Sequence, residues 1–234
     1  MKAVSIIVPT YNESANLPIF IEKVNETFSN RGITGEVIVV DDNSPDGTGR
    51  IAERLRARYK FLKVIHRPSK LGLGSAYKEG FRAAEGKLLF TMDADLSHDP
   101  IYIPHFIRGA DRADVVLGSR YIKGGGTVGW NLYRKLVSKV ANFLAGIVVG
   151  ADVKDVTSGY RAYRREALAK IPLKEIKSGG YAFQLEMIYE VKRKGFKISS
   201  IPIVFTDRRK GKSKLGMREI LSFLTLTIKL GLRR

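Results

Sequence analysis

The chain has 234 residues, enough for one sizeable packed core or two small ones, and its hydrophobic share of 44% is that of an ordinary globular protein. Lys and Arg number 41 against 23 Asp and Glu, a formal charge of +18 that points to an anionic partner such as a nucleotide, a nucleic acid or an anionic membrane surface. Cysteine is absent, which excludes disulfides and thiolate metal sites, and the longest uncharged stretch, 140–151, falls short of the roughly 20 residues a membrane span needs.

Ala3-Val4-Ser5-Ile6-Ile7-Val8-Pro9 is a short, β-rich apolar run that reads as a central parallel strand rather than a secretory signal. After the polar stretch 10–14, Leu17, Phe20, Ile21, Val24 and Phe28 recur at helical spacing up to a break at Gly32. Glu36 to Val40 predicts a second strand, ending in Asp41 and Asp42. The turn 43–48 is rich in capping residues and leads to a helix carrying Ile51, Ala52 and Leu55. Leu62 to His66 predicts a third strand, and a helix around 76–84 leads to Leu88-Leu89-Phe90-Thr91-Met92. That last run stops abruptly at Asp93-Ala94-Asp95, because two charges cannot continue a buried strand.

Beyond Asp95 the pattern loosens. Asp114 to Arg120 predicts a strand ending in arginine, and a glycine-rich loop precedes a long helix with Leu132, Leu136, Val140, Phe143, Leu144, Ile147 and Val148 on one side. The simplest reading packs that side on the core, with contact to a membrane surface as the competitor. Residues 155–163 predict a turn entering a strand, 179–194 a helix, 198–205 a late strand, and 206–214 a loop dense in Arg and Lys. An apolar helix carrying Ile220, Leu221, Phe223, Leu224 and Ile228 closes the chain. No repeat or linker divides the sequence.

Repeated strand and helix alternation argues for an open, mainly parallel α/β sheet covered by helices, with ligands beyond the carboxyl ends of the strands. That rule brings residues 9–13, Asp41-Asp42 and Asp93-Asp95 to one crevice. An Asp-x-Asp pair at a strand end offers hard oxygen ligands suited to Mg²⁺ or Mn²⁺ on a phosphorylated substrate. No Gly-x-x-x-x-Gly-Lys motif occurs, and the run 72–77 has Tyr77 where a dinucleotide fingerprint needs glycine. His66, His98 and His105 share no metal-ligand spacing and read as structural or surface residues. Ser158 reads as turn chemistry.

Val8-Pro9-Thr10-Tyr11-Asn12-Glu13, the block 40–48 and Met92-Asp93-Ala94-Asp95-Leu96-Ser97-His98 together resemble the inverting nucleotide-sugar glycosyltransferases of GT-A fold. Gly118-Ser119-Arg120-Tyr121, Gly129-Trp130, the block 157–161, Phe183-Gln184-Leu185-Glu186-Met187 and the run 207–216 narrow the likeness to the dolichol-phosphate mannose synthase family, over nearly the whole chain. The resemblance implies one GT-A catalytic domain over 1–234, a Rossmann-like, mainly parallel sheet with helices on both faces and amphipathic membrane-facing helices. Residues 1–120 form its nucleotide-binding half, 121–215 its acceptor half and 216–234 a C-terminal amphipathic helix. It further implies that Pro9, Tyr11, Glu13, Val40 and Asp42 hold the base and ribose. Asp93 and Asp95 hold the metal, Ala94 adds backbone contact, Arg120, Arg208 and Lys214 bind phosphate oxygens, and Arg134 meets the acceptor phosphate. Asp95, Arg120 and Arg134 are the catalytic candidates.

The implied reaction moves mannose from GDP-mannose to dolichyl or another polyprenyl phosphate with inversion. Its setting is the cytoplasmic face of a membrane, as a peripheral protein docked on the lipid or on membrane-anchoring subunits. Where family members place Gln two residues after the second metal Asp, this chain has Ser97. A polyprenyl-phosphate glucosyltransferase is the nearest rival reading. A basic nucleic-acid-binding module and a silent nucleotide-binding subunit are more distant ones. Clustered strand-end carboxylates argue against nucleic acid as a partner, and the intact Asp93 and Asp95 argue against the silent subunit.

Overall fold

A computed structural model describes residues 2–150, 152–207 and 216–233. In the first half, strands and helices alternate as β1 (Val4–Thr10), α1 (Leu17–Arg31), β2 (Gly35–Asp41), α2 (Thr48–Arg58), β3 (Leu62–His66), α3 (Leu73–Ala83) and β4 (Leu88–Thr91). There follow α4 (Ile103–Gly109), β5 (Val115–Ser119), β6 (Gly126–Val128), α5 (Leu132–Val149), β7 (Arg161–Arg164) and α6 (Arg165–Ala169). The described chain ends with α7 (Gly180–Arg193), β8 (Ile198–Pro202), β9 (Val204–Thr206) and α8 (Met217–Gly231).

Seven strands make one sheet in the order β3-β2-β1-β4-β7-β5-β8, and β6 pairs with β9 in a small second sheet. All neighbours in the large sheet are parallel except β7, which runs antiparallel between β4 and β5. Alternation along the strands supplies a core on each face. Val4, Ile6, Val8, Leu88 and Phe90 pack on one side with Leu17, Phe20, Ile21 and Val24 of α1. Ile7, Leu89, Val115 and Leu117 pack on the other with Tyr77, Phe183 and Met187. The first helix stops where the sequence breaks: Gly32 takes a left-handed φ of 59°, and its N–H returns to the carbonyls of Phe28 and Ser29.

Two expectations require correction. The late run 198–205 is not one strand: β8 ends at Pro202, where its partner β5 turns away at Ser119, and β9 pairs with β6 instead. The long helix α5 turns most of its apolar side outward, and of that side Val148 lies in the core. It buries Asn142, Ala145, Val148 and Val149, while Leu132, Leu136, Val140, Phe143 and Ile147 are exposed. A helical period fixes that a stripe exists; what it faces depends on the neighbours, here α7 and α8 on the inner side.

Candidate functional site

The carboxyl ends of β2, β1 and β4 lie side by side, with Pro9 opposite Val40 and Thr10 opposite Asp41 in the ladder. Each of these three strands is followed by a non-glycine residue in the left-handed region: Asn12 at φ 60°, Asn43 at 53° and Leu96 at 69°. Such conformations are costly for L side chains and persist only where surrounding contacts impose them. Here the contacts are a mesh of turns. Asp41 accepts from Thr10 Oγ1 (3.0 Å), Ser44 N (3.0 Å) and Ser44 Oγ (2.6 Å). Asp46 accepts from Ser14 N (3.0 Å), Thr48 N (3.0 Å) and Thr48 Oγ1 (2.6 Å), and Glu13 N donates to Thr48 Oγ1 at 2.9 Å. Asp46 is partly desolvated, yet these donors hold its pKa below the ordinary value. Asp41 and Asp46 therefore build the crevice wall.

Asp42 is buried, 2.7 Å from Arg67 Nη1, and accepts from Gly72 N at 3.0 Å. Arg67 follows β3 directly and also donates to Gly72 O and Ser75 Oγ. The strand-end rule that singled out Asp42 applies equally to Arg67, which the sequence reading passed over. Tyr11 lies under Lys70, whose Nζ is 4.1 Å from the ring centroid. Glu13 accepts from Asn16 Nδ2 at 2.8 Å. The side chains of Val40 and Ala94 are core residues, so a contact from either to a ligand would come from its main chain, as the resemblance implies for Ala94.

The strand β4 ends at Thr91, two residues before Asp93, whose side chain is 41% exposed. Asp93 N donates to His98 Nδ1 at 3.0 Å, and Tyr77 donates to Asp93 Oδ1 at 3.3 Å. The Asp93 N–H places the neutral His98 proton on Nε2. Burial pushes the His98 pKa below its ordinary value, against the pull of Asp93 and Asp95. His98 is thus a packed residue, stacked on Tyr160 with centroids 5.1 Å apart, that anchors the main chain of Asp93. Asp95 is buried, and its Oδ1 accepts from Ser97 N (3.1 Å) and Ser97 Oγ (2.5 Å). Ser97 orients a carboxylate. Two hard carboxylates, one open and one fixed, fit a Mg²⁺ or Mn²⁺ ion that completes its shell with phosphate oxygens and water. No group of three or more His, Cys, Asp and Glu placed to hold a metal occurs among the described residues.

A second cluster borders β5. Arg120 is buried and donates from its main-chain N (2.9 Å), Nε (2.8 Å) and Nη2 (2.6 Å) to Asp155, with a further bond from Nη2 to Thr157 Oγ1 at 2.7 Å. Burial opposes the charge, but Asp155 outweighs it and holds the Arg120 pKa above its ordinary value. Arg134, in the first turn of α5, donates Nη1 to Asp207 Oδ1 at 2.7 Å, while Asn131 caps the helix by accepting from Arg134 N at 2.8 Å. Trp130 lies against both cations, 5.0 Å from Arg120 Cζ and 4.2 Å from Arg134 Cζ, with Phe205 edge-on at 5.4 Å. The structure thereby brings Arg120 and Arg134 together, with Asp155 as the partner of Arg120 and Trp130, of the family-like Gly129-Trp130 block, against both cations. Arg208 and Lys214 lie outside the described residues.

Polar turns at parallel strand ends, a carboxylate pair suited to a divalent cation and a flanking arginine cluster fit a sugar-nucleotide enzyme of GT-A type, and the comparisons agree. The model of glycosyl transferase family 2 matches residues 5–172, and the chain belongs to that family of glycosyltransferases. It is 39% identical over 233 residues to the polyprenol monophosphomannose synthase of Mycolicibacterium smegmatis, covering 97% of this chain and 86% of that one. It is 40% identical over 213 residues to the undecaprenyl-phosphate mannosyltransferase of Micrococcus luteus, covering 90% of this chain and 86% of that one. Among solved structures, mannosyl-3-phosphoglycerate synthase from Rubrobacter xylanophilus superposes with a TM-score of 0.72 at 17% identity, covering all of this chain and 74% of that one. Glucosyl-3-phosphoglycerate synthase from Mycobacterium tuberculosis, in complex with Mn²⁺, UDP and phosphoglyceric acid, gives 0.69 at 21%, covering 98% and 78%. At those identities the likeness is one of fold.

Proposed function

We propose that this enzyme transfers mannose from GDP-mannose to a polyprenyl phosphate of the dolichyl type at a membrane surface, giving the lipid-linked sugar phosphate. The observation that carries the reading is the juxtaposition of the Asp93-Asp95 pair with a cluster of arginines beside an outward apolar helix. The names of the relatives from M. smegmatis and M. luteus support the acceptor class and the sugar.

In this reading residues 1–120 serve the nucleotide. Pro9, Tyr11, Glu13, Asp42 and the main chain of Val40 line its base and ribose. Asp93 and Asp95 hold Mg²⁺ or Mn²⁺, which when bound neutralises the diphosphate of the leaving group. Residues 121–215 serve the acceptor. A lipid monophosphate is largely ionised near neutral pH, since its second pKa lies near about 6, so it attacks without a dedicated base. The protein's task is then to hold two anions in line and to neutralise them. Arg134 and Arg120, with Arg208 and Lys214, are the cations for that work. Nε and Nη2 of Arg120 already meet Asp155, which leaves Arg134 the better placed of the two to receive the acceptor phosphate.

The lipid tail needs an apolar bed. Leu132, Leu136, Val140, Phe143 and Ile147 give α5 an exposed stripe, with Lys135 and Lys139 on the same helix to meet anionic headgroups. Leu221, Ile228 and Leu232 are exposed on and just after α8. No helix among the described residues is long and apolar enough to cross a membrane, and in this reading α5 and α8 meet the lipid at its surface. The decisive experiment supplies radiolabelled GDP-mannose, Mn²⁺ or Mg²⁺ and a polyprenyl phosphate in vesicles. Organic-extractable mannose is the expected product. Label transferred only from UDP-glucose would move the enzyme to glucosyl transfer.

A further inference from the structure

We propose that Ser158 and Gln184 form a subsite that binds hydroxyl groups of the transferred sugar; the proposal rests on the nucleotide-sugar reading and deepens it. Both residues are almost fully buried, at 4% and 3% exposure, and both carry a polar atom without a hydrogen-bond partner, Ser158 Oγ and Gln184 Oε1. Folded proteins satisfy nearly all such atoms, and the exceptions gather where a ligand or ordered water completes them.

The main chains that carry the two atoms are held in place. Arg161, wholly buried at the start of β7, donates Nε to Ser158 O at 2.7 Å, Nη1 to Gln184 O at 2.8 Å and Nη2 to Val156 O at 2.6 Å. One guanidinium therefore pins the main chains of both residues to each other. Ser158 is held by the turn before β7 and Gln184 by the inner face of α7.

Gly159 joins this pair to the metal-binding carboxylates. A Cβ built on Gly159 lies 3.7 Å from Gln184 Nε2, 3.8 Å from Asp93 Oδ2 and 3.2 Å from His98 Cε1. The amide and the open carboxylate thus flank one point, and any larger residue there would press on His98. Thr91 Oγ1 donates to Gly159 O at 2.7 Å and ties this floor to the end of β4. In the nucleotide-sugar reading, the sugar must lie next to the diphosphate that the Asp93-bound ion meets.

The chemistry of the unpartnered atoms selects the occupant. Gln184 Oε1 is an acceptor and asks for a donor. A diphosphate or an ionised lipid phosphate brings only lone pairs. A sugar hydroxyl brings both a proton for Gln184 Oε1 and a lone pair for the Ser158 hydroxyl. A site built to hydrogen-bond a hydroxyl rejects substrates that lack it far more strongly than a site built on apolar contact.

The test compares Ser158→Ala, Gln184→Leu and Gln184→Glu with wild type in the full chain. Calorimetry with Mn²⁺ measures GDP and GDP-mannose separately, and turnover gives kcat/KM. Ser158→Ala and Gln184→Leu are expected to bind GDP within about twofold of wild type while losing roughly tenfold or more in kcat/KM for GDP-mannose, the scale of a lost polar contact to substrate. Gln184→Glu keeps an acceptor oxygen and should lose less than Gln184→Leu. Equal losses for GDP and GDP-mannose would show a merely structural role and overturn the proposal, as would wild-type kcat/KM in both variants, the outcome if a buried water alone completes these atoms. Should Gln184→Leu fail to fold, Ser158→Ala, which removes one oxygen, decides the matter. Wild type that turns over a different sugar nucleotide would sink the GDP-mannose reading alone, and the same comparison would then be run with that donor and its parent nucleotide.

Discussion

Asp155→Asn isolates what the Arg120 pair does for the fold. Asp155 is fully buried and takes three hydrogen bonds from Arg120, at 2.9, 2.8 and 2.6 Å. Asparagine keeps the size and one acceptor oxygen but removes the charge, so a buried guanidinium is left without its counter-ion. Breaking such a pair from one side costs about 3–5 kcal/mol. The rings of Trp130, Phe205 and Tyr121, at 5.0, 5.5 and 5.3 Å from Arg120 Cζ, retain some attraction for the cation. That offset places the expected loss near the lower bound, about 3 kcal/mol. For a chain of this size 1 kcal/mol moves the melting temperature by about 2–4 °C, so Asp155→Asn should melt roughly 6–12 °C below wild type. Arg120→Met combined with Asp155→Asn removes the stranded charge and should lose clearly less than the sum of the two single changes. A scanning calorimeter reads both. A single variant within about 2 °C of wild type, or strictly additive losses, would refute the view that Asp155 exists to hold a buried cation.

Three further outcomes are expected. Glu36 is wholly buried and accepts from Lys2 Nζ (2.6 Å), Ser5 Oγ (2.6 Å) and Glu85 N (2.7 Å); although burial raises its pKa, these donors and Lys63 bring it from 4.5 to about 2. Its stabilising contribution, of order 3 kcal/mol at 1.36 kcal/mol per pH unit, is present above about pH 4.5 and lost as the pH falls from there toward 2. Glu36→Gln should therefore be less stable at pH 7 and lose less on acidification, and an unchanged acid limb in urea melts would contradict this. Ser97→Ala removes both the hydroxyl bond and a turn-fixing group from Asp95, and should weaken Mn²⁺-dependent turnover by roughly tenfold in apparent metal affinity, with little change in the metal-free melting temperature. Identical Mn²⁺ titrations would exclude that orienting role. Leu136→Asp with Phe143→Asp places two charges on the exposed stripe of α5, and flotation with anionic vesicles should fall severalfold while the melting temperature holds; undiminished flotation would detach α5 from membrane binding.

How far the sequence announced this depends on whether a signal is local. Asp42, Asp93 and Asp95 were legible because a charge at the end of an apolar run is unambiguous within five or six residues, and the strand-end rule then places all three together. Arg67 and Asp155 were not, because their meaning lies in contacts across the chain. Arg67 finds Asp42 from 25 residues away, and Asp155 finds Arg120 across 35. The strand β7 is four residues long with arginine at both ends, Arg161 and Arg164, so the run 155–163 announces a turn entering a strand but neither its place between β4 and β5 nor its antiparallel direction. Arg161 is tolerated in the sheet because carbonyls of Ser158, Gln184 and Val156 satisfy it, a condition that only the fold creates. The outward face of α5 was hidden for a different reason. Its period is as clear in the sequence as that of any core helix, and the signal does not say which medium the stripe meets.

The arginines around the crevice also explain how a strongly basic chain can build a cation cluster without bursting it. Arg67 meets Asp42 at 2.7 Å, Arg120 meets Asp155 at 2.6 Å, and Arg134 meets Asp207 at 2.7 Å. Arg120 and Arg134 both lie over Trp130, close enough to repel were they not each matched by a carboxylate. The cluster is thus near neutral before any ligand arrives, and its guanidinium groups already stand in fixed positions, which is what transition-state stabilisation by preorganised charge requires. The net charge of +18 acts at longer range as well, where it draws anions toward the surface and where salt weakens it most. In the proposed reading two tasks that composition lumps into one number are separated in the fold: exposed cations raise encounter with an anionic partner, and the paired arginines, two of them held by the buried Asp42 and Asp155, set where a phosphate comes to rest.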